Sequence, residues 1–145
     1  MAAILNWKSF GNVYNDIVVD QRSVDWFLLG YEDGSQNKIK LIARGTGGLK
    51  QMALKLTEDM VAYGYLKYIE EDNQEYSKPN PDFVHITFIG KCVKPQERAR
   101  SFVHRLDVQQ AFPRYICTFE ANGLDELDIE SLKAEIQETK ASLAE

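Results

Sequence analysis

The groups in this chain that could do chemistry are a glycine cluster, two histidines, two cysteines and a few paired carboxylates. Gly45-Thr46-Gly47-Gly48 stands between a strand-like and a helix-like segment, where backbone N–H groups at a helix start attract anions such as phosphate. A phosphate loop needs a Lys-Ser or Lys-Thr pair after its last glycine, and here Leu49-Lys50-Gln51 follows. The dinucleotide pattern G-x-G-x-x-G ends on a third glycine, and Lys50 occupies that position. The cluster therefore reads as a tight turn with positive φ, Thr46 being a candidate helix cap. A small nucleotide-using enzyme is the rival reading, but neither a phosphate-binding Lys or Arg nor a metal-holding carboxylate can be placed beside the loop.

His85 and His104 are the only histidines, and neither has a Ser or Cys at a spacing that suggests a nucleophile. Cys92 and Cys117 lie in apolar stretches, form no C-x-x-C pair, and read as two small core residues in a reducing compartment. A metal site would need all four to converge from separate elements, and no usual ligand spacing is present. Glu70-Glu71-Asp72 and Asp125-Glu126 fall in polar surroundings, where a carboxylate stays solvated and is not tuned as a general acid. No catalytic residue, cofactor or metal is expected.

The elements that would position any site follow from periodicity. Trp7, Phe10, Tyr14 and Ile17 recur at helical spacing, so 7–19 reads as a first helix, weakened at Gly11. The run Trp26-Phe27-Leu28-Leu29 within 24–31 is a strand buried on both faces. After the turn at Glu32-Asp33-Gly34-Ser35, residues 38–43 alternate, with Ile39, Leu41 and Ala43 on one face, giving a hairpin partner. A short helix over 48–56 carries Leu49, Met52, Ala53 and Leu56. Residues 60–69 and 83–89 read as strands, the second of them central, separated by a polar loop with Pro79 and Pro81. Pro95 fits the first turn of a long helix reaching about Phe112, with Ala99, Phe102, Val103 and Leu106 as its core stripe. Residues 115–120 form a fifth strand, and Asp128 caps a last helix whose apolar side is Ile129, Leu132, Ile136 and Leu143. A hairpin at the start excludes an all-parallel sheet, and strands apolar on two sides require helices on both faces.

Charge narrows the partners. The chain of 145 residues has 44% hydrophobic and 27% charged residues and a net charge of −5. From Glu120 to Glu145 there are eight acidic and two basic residues, which leaves 14 acidic against 15 basic elsewhere. A broad basic surface for nucleic acid is thus disfavoured. Between Lys91 and Arg114, however, Lys91, Lys94, Arg98, Arg100, Arg105 and Arg114 face only Glu97 and Asp107. At about 100° per residue, Arg98 and Arg105 fall within about 20° of each other beside the apolar stripe, and Lys94 extends the row. Such a row suits an acidic protein surface, with association that weakens in salt; the alternative is a solvated helix face. No segment reads as a signal peptide or reaches the ~20 apolar residues of a membrane span, so cytoplasm is the expected location.

In combination these pieces resemble the ADF/cofilin-homology domain, nearest its coactosin subgroup and the N-terminal domain of drebrin-like proteins. The resemblance is carried by Tyr14-Asn15-Asp16-Ile17-Val18, Trp26 to Glu32, Gly45 to Leu49 and Tyr63-Gly64-Tyr65. It continues through Phe83-Val84-His85-Ile86-Thr87-Phe88-Ile89-Gly90, Arg98-Ala99-Arg100 and Val103-His104-Arg105-Leu106-Asp107-Val108. It implies an α+β, gelsolin-like three-layer α/β/α sandwich, with a central mixed sheet of five to six strands flanked by helix pairs. A single such domain is expected over 8–135, with 136–145 a helical acidic tail.

The resemblance further implies binding to actin filaments without catalysis, weak binding to actin monomers, protection of filament ends from capping, and a monomeric protein of the cytoplasm and cytoskeleton. The residues matching the family's actin-facing long helix are Arg98 and Arg100, with Arg105 further along. Lys91 and Lys94 precede them, and Lys133 lies close to the family's second basic contact. Coactosins commonly carry a filament-binding lysine just before the central strand; here Pro81-Asp82 stands there, and Lys78 is the nearest candidate. Phe88 replaces a usual tryptophan, and the early serine whose phosphorylation switches off true cofilins is missing. A cofilin-like monomer binder and depolymeriser is one alternative. A cytosolic interaction module whose partner is an enzyme or an acidic lipid is the other.

Overall fold

The computed structural model describes residues 2–10, 12–19, 24–69 and 81–144. Its elements in chain order are β1 (Ile4–Leu5), α1 (Trp7–Phe10), α2 (Val13–Val18), β2 (Trp26–Tyr31), β3 (Lys38–Gly45) and α3 (Gly48–Ala53). They continue with β4 (Val61–Tyr68), β5 (Asp82–Ile89), α4 (Pro95–Ala111), β6 (Cys117–Ala121), a 3-10 turn (Leu124–Glu126) and α5 (Ile129–Ala144). The strands form one six-stranded sheet in the order β1-β3-β2-β4-β5-β6. The inner pairings are antiparallel and the outermost, β1 with β3 and β5 with β6, are parallel. The expected mixed sheet between helices is what the chain adopts.

Alternation sends side chains from the sheet into two cores. Phe27, Leu29, Tyr63, Tyr65 and Phe83 meet Phe10, Val13 and Ile17 of α1–α2 and Val108 and Phe112 at the end of α4. On the opposite face Trp26, Leu28, Ala62, Val84, Ile86 and Phe88 meet Leu49 and Met52 of α3 and Leu132 and Ile136 of α5. This is why Trp26 to Gly30 of β2 and Phe83 to Ile89 of β5 are buried throughout.

Several sequence expectations shift. The first helix is two short ones, with Gly11 between them outside the described residues. β1 was not foreseen: two residues cannot show a period. The alternation in β3 breaks at a bulge opposite Leu28 and Leu29, where Ala43 pairs with Leu28 and Leu41 with Leu29, leaving Ile42 extra. Ala43 therefore packs in the opposite core from Ile39 and Leu41. Asp128 caps α5 as expected, its Oδ2 accepting from the Ser131 amide at 3.3 Å. Leu132 and Ile136 are buried, but Ile129 and Leu143 are 40% and 74% exposed, so the expected apolar side is in the core only at its middle two members. The helix is continuous across residues 135 and 136. The loop over 70–80, with Lys78 in it, lies outside the described residues.

Candidate functional site

The amides of the glycine turn are taken up within the fold. Gly47 and Gly48 have φ of +94° and +72°, the conformation their lack of Cβ permits. Their amides donate to the Asp25 carboxylate, at 3.1 Å to Oδ2 and 3.4 Å to Oδ1. The anion seat is thus filled by the chain's own side chain. Asp25 takes the capping role expected of Thr46, whose carbonyl instead accepts from Trp26 Nε1 at 3.0 Å. Among the described residues no group of three or more His, Cys, Asp or Glu side chains is placed to hold a metal, and no helix is long and apolar enough to cross a membrane.

The histidines are structural. His85 is buried, and its Nε2–H donates to the Phe112 carbonyl at 2.7 Å. Burial pushes its pKa down to about 4, a pull that this hydrogen bond only partly offsets. Cys117 is buried, which raises its thiol to about 11. Cys92, expected in the core, is exposed: it follows Gly90-Lys91 in the turn after β5, and its apolar neighbours in sequence do not put it under the sheet.

The long helix α4 is the feature that departs from a solvated surface. It crosses over between the parallel strands β5 and β6, starting at Pro95, whose fixed φ and missing N–H suit that position. Its buried residues are Ser101, His104 and Val108. The stripe expected in the core faces outward: Ala99 is exposed, and Phe102, Val103 and Leu106 are 40%, 54% and 54% exposed. Periodicity locates an apolar stripe but not the direction it faces. A competing stripe, Ser101, His104, Val108 and Phe112, is also at helical spacing; Ser101 Oγ donates to the Arg98 carbonyl of the same helix at 2.6 Å, and His104 finds its partner on the sheet. His104 Nδ1 lies 2.7 Å from the Tyr31 hydroxyl, which lies 2.6 Å from that of Tyr63. Leaving three such side chains half in water forgoes roughly 1 kcal/mol each, a cost that a partner covering them would recover.

Basic groups frame this stripe. Arg98 Nη1 donates to Asn122 Oδ1 at 2.7 Å, and Arg105 lies 3.7 Å from Glu120, so both lean toward β6 and the turn after it. The Arg105 guanidinium also sits 4.9 Å over the Phe102 ring, joining charge to the apolar face. Lys94 is exposed at the start of the same flank, and Arg100 is on the opposite flank, half-buried. Lys91 forms an ion pair with Asp125 at 2.9 Å, which raises the lysine's pKa and lowers the aspartate's. Glu58 fastens this corner by accepting from the Lys91 and Leu124 amides. Lys133 is on α5, the helix of the other layer, 4.0 Å from Glu130. The structure thus gathers Lys94, Arg98 and Arg105 on one line with Lys91 close by in sequence, and leaves Arg100 and Lys133 apart from it.

Comparison with known proteins fits this geometry. The family model of cofilin/tropomyosin-type actin-binding proteins matches residues 8–137. Coactosin of Dictyostelium discoideum is 25% identical over 130 residues, which span 89% of this chain and 86% of that protein. The crystal structure of coactosin from Entamoeba histolytica superposes with a TM-score of 0.81 at 25% identity, covering 96% of this chain and 97% of that one. The solution structure of mouse coactosin, described as an actin filament binding protein, gives a TM-score of 0.74 at 19% identity, covering 95% and 92% of the two chains.

Proposed function

The chain belongs to the family of cofilin/tropomyosin-type actin-binding proteins, and from that footing we propose that it binds actin filaments through the outer face of α4. The carrying observation is the outward stripe of Ala99, Phe102, Val103 and Leu106, bordered by Lys94, Arg98 and Arg105. An apolar strip with one charged border is what a specific protein partner covers: the strip supplies affinity, and the border supplies approach rate and register. The basic border suits an acidic partner surface. Lys91 and Arg100 add contacts at the rim, Lys133 on α5 is the second basic contact, and Lys78 takes the role of the filament-binding lysine. Filament binding is preferred to tight monomer binding because of the likeness to coactosins, one of which is described as a filament binder. The protein acts by binding rather than catalysis, as a monomer, in the cytoplasm and on the cytoskeleton.

The test is high-speed cosedimentation with preformed filaments at low and moderate salt. The expected result is protein in the pellet, less of it as salt rises, with supernatant actin unchanged. Extra actin in the supernatant would replace this reading with a cofilin-like depolymeriser. Absence of pelleting at every salt concentration would overturn filament binding.

A further inference from the structure

Burial alone would not choose the rotation that α4 has. Val108 is its one large apolar side chain in the core, while Phe102, Val103 and Leu106 stand outward and Ser101 and His104 inward. At about 100° per residue the inward and outward sets are about half a turn apart. A half-roll of the helix would exchange buried polar atoms for buried apolar surface, a favourable trade in itself. The crossover ties both ends of α4 to neighbouring strands but does not fix its roll.

The contacts that resist the roll differ in depth. Arg98 with Asn122, Arg105 with Glu120 and the Asp107 carboxylate with the Ala3 amide all lie at the helix margins, part-buried or exposed. Beneath the helix stands the line His104 Nδ1, Tyr31 hydroxyl, Tyr63 hydroxyl, at 2.7 and 2.6 Å. His104 and Tyr63 are 1% and 2% exposed, so water cannot replace a partner lost there, and an unmade hydrogen bond at such depth carries its full desolvation cost. Tyr31 comes from β2 and Tyr63 from β4, so the line anchors the middle of α4 to two central strands.

We propose that His104, through Tyr31 and Tyr63, is the positioning residue that sets the rotation of α4 and so keeps the apolar stripe turned outward. Its consequence for binding rests on the actin-facing reading of α4; the rotation itself does not. His104→Ala removes the ring nitrogen that meets Tyr31, leaves the two tyrosines bonded to each other, and adds no large apolar group to the inward set, so the penalty that opposed the roll is gone. In His104→Asn the side-chain amide, which can accept through Oδ1 or donate through Nδ2, replaces Nδ1 as the partner of Tyr31.

The experiment uses the full chain with Cys92→Ser and Cys117→Ala, which removes both native thiols, and one reporter thiol at a time, Ser101→Cys on the inner side or Leu106→Cys on the outer. Thiol labelling follows the population of the state that exposes the site. With His104 in place the outer reporter should react at least about tenfold faster than the inner one, and His104→Ala should reduce that ratio about tenfold. Filament pelleting measured without reporters should weaken about tenfold in His104→Ala and return in His104→Asn. Tyr31→Phe should shift the labelling ratio in the same direction, which keeps the test decisive if His104→Ala fails to fold. An unchanged ratio in folded His104→Ala or Tyr31→Phe overturns the proposal. A changed ratio with unchanged pelleting supports the positioning role and overturns α4 as the actin-facing element.

Discussion

Replacing Phe102 and Leu106 together by alanine should remove most of the affinity for filaments and leave the fold standing. Fully burying a Phe or Leu side chain is worth about 1.5–3 kcal/mol. Phe102 is 40% exposed and Leu106 54% exposed, so covering what remains is worth about 1 kcal/mol each, or about 2–2.5 kcal/mol together. That sum corresponds to a loss of about 30–70-fold in Kd. The parts of both side chains already packed on the domain are about as large, and their loss should lower Tm by about 5–10 °C in a domain of this size. The assay is a cosedimentation titration beside a thermal melt. Both arginines remain, so the double variant should keep the salt dependence of the parent while its affinity falls. A Kd within twofold of the parent, in protein shown to be folded, would refute the claim that this stripe is the covered surface.

Arg98→Ala with Arg105→Ala should weaken pelleting about tenfold at low salt and flatten its salt dependence, with little change in Tm because both side chains are partly solvated; unchanged pelleting would remove the basic border from the site. His85 sets part of the acid limb of stability. Its pKa is near 4 in the fold and near 6.5 when unfolded, so the unfolded chain binds the extra proton as pH falls between these values. Stability should therefore drop through that window, by up to about 3 kcal/mol, and His85→Gln, which can keep a donor toward the Phe112 carbonyl, should flatten it in melts taken from pH 7 to 4. Gly90→Ala should be severely destabilising, since its Cβ would lie 2.1 Å from the Glu58 carbonyl oxygen, a backbone atom that cannot move aside cheaply; a Tm within a few degrees of the parent would contradict that packing.

The sheet and its two helical layers were legible because β2, β4 and β5 are mostly apolar at both odd and even positions, the mark of strands covered on two faces. Asp128 was legible as a cap because capping is a local matter between neighbours in sequence. What escaped was set by distant partners. Nothing near His104 in sequence marks it as buried until Tyr31 and Tyr63, 73 and 41 positions upstream, are placed beneath it. Once it is inward, the apolar stripe must be outward, so the basic border was readable while the surface it borders was not. Ala43 changed cores through a one-residue bulge that alternation cannot announce. Asp25 displaced Thr46 as the cap because it reaches the glycine amides from the adjacent strand's entrance rather than from the loop.

The irregular outer margin of β3 carries a further consequence. β1 pairs only with Lys38 and Ile39; beyond it the Leu41 amide donates to Ser9 Oγ at 2.9 Å, Ile42 bulges, and Arg44 is held 3.2 Å from Asp16. The first two use up or distort backbone groups that a foreign strand would need, and the ion pair places charge on the same edge. Molecules lined up side by side on a polymer meet one another at local concentrations far above that of free solution. A margin that cannot accept another strand allows them to crowd there and separate again without zipping into an aggregate.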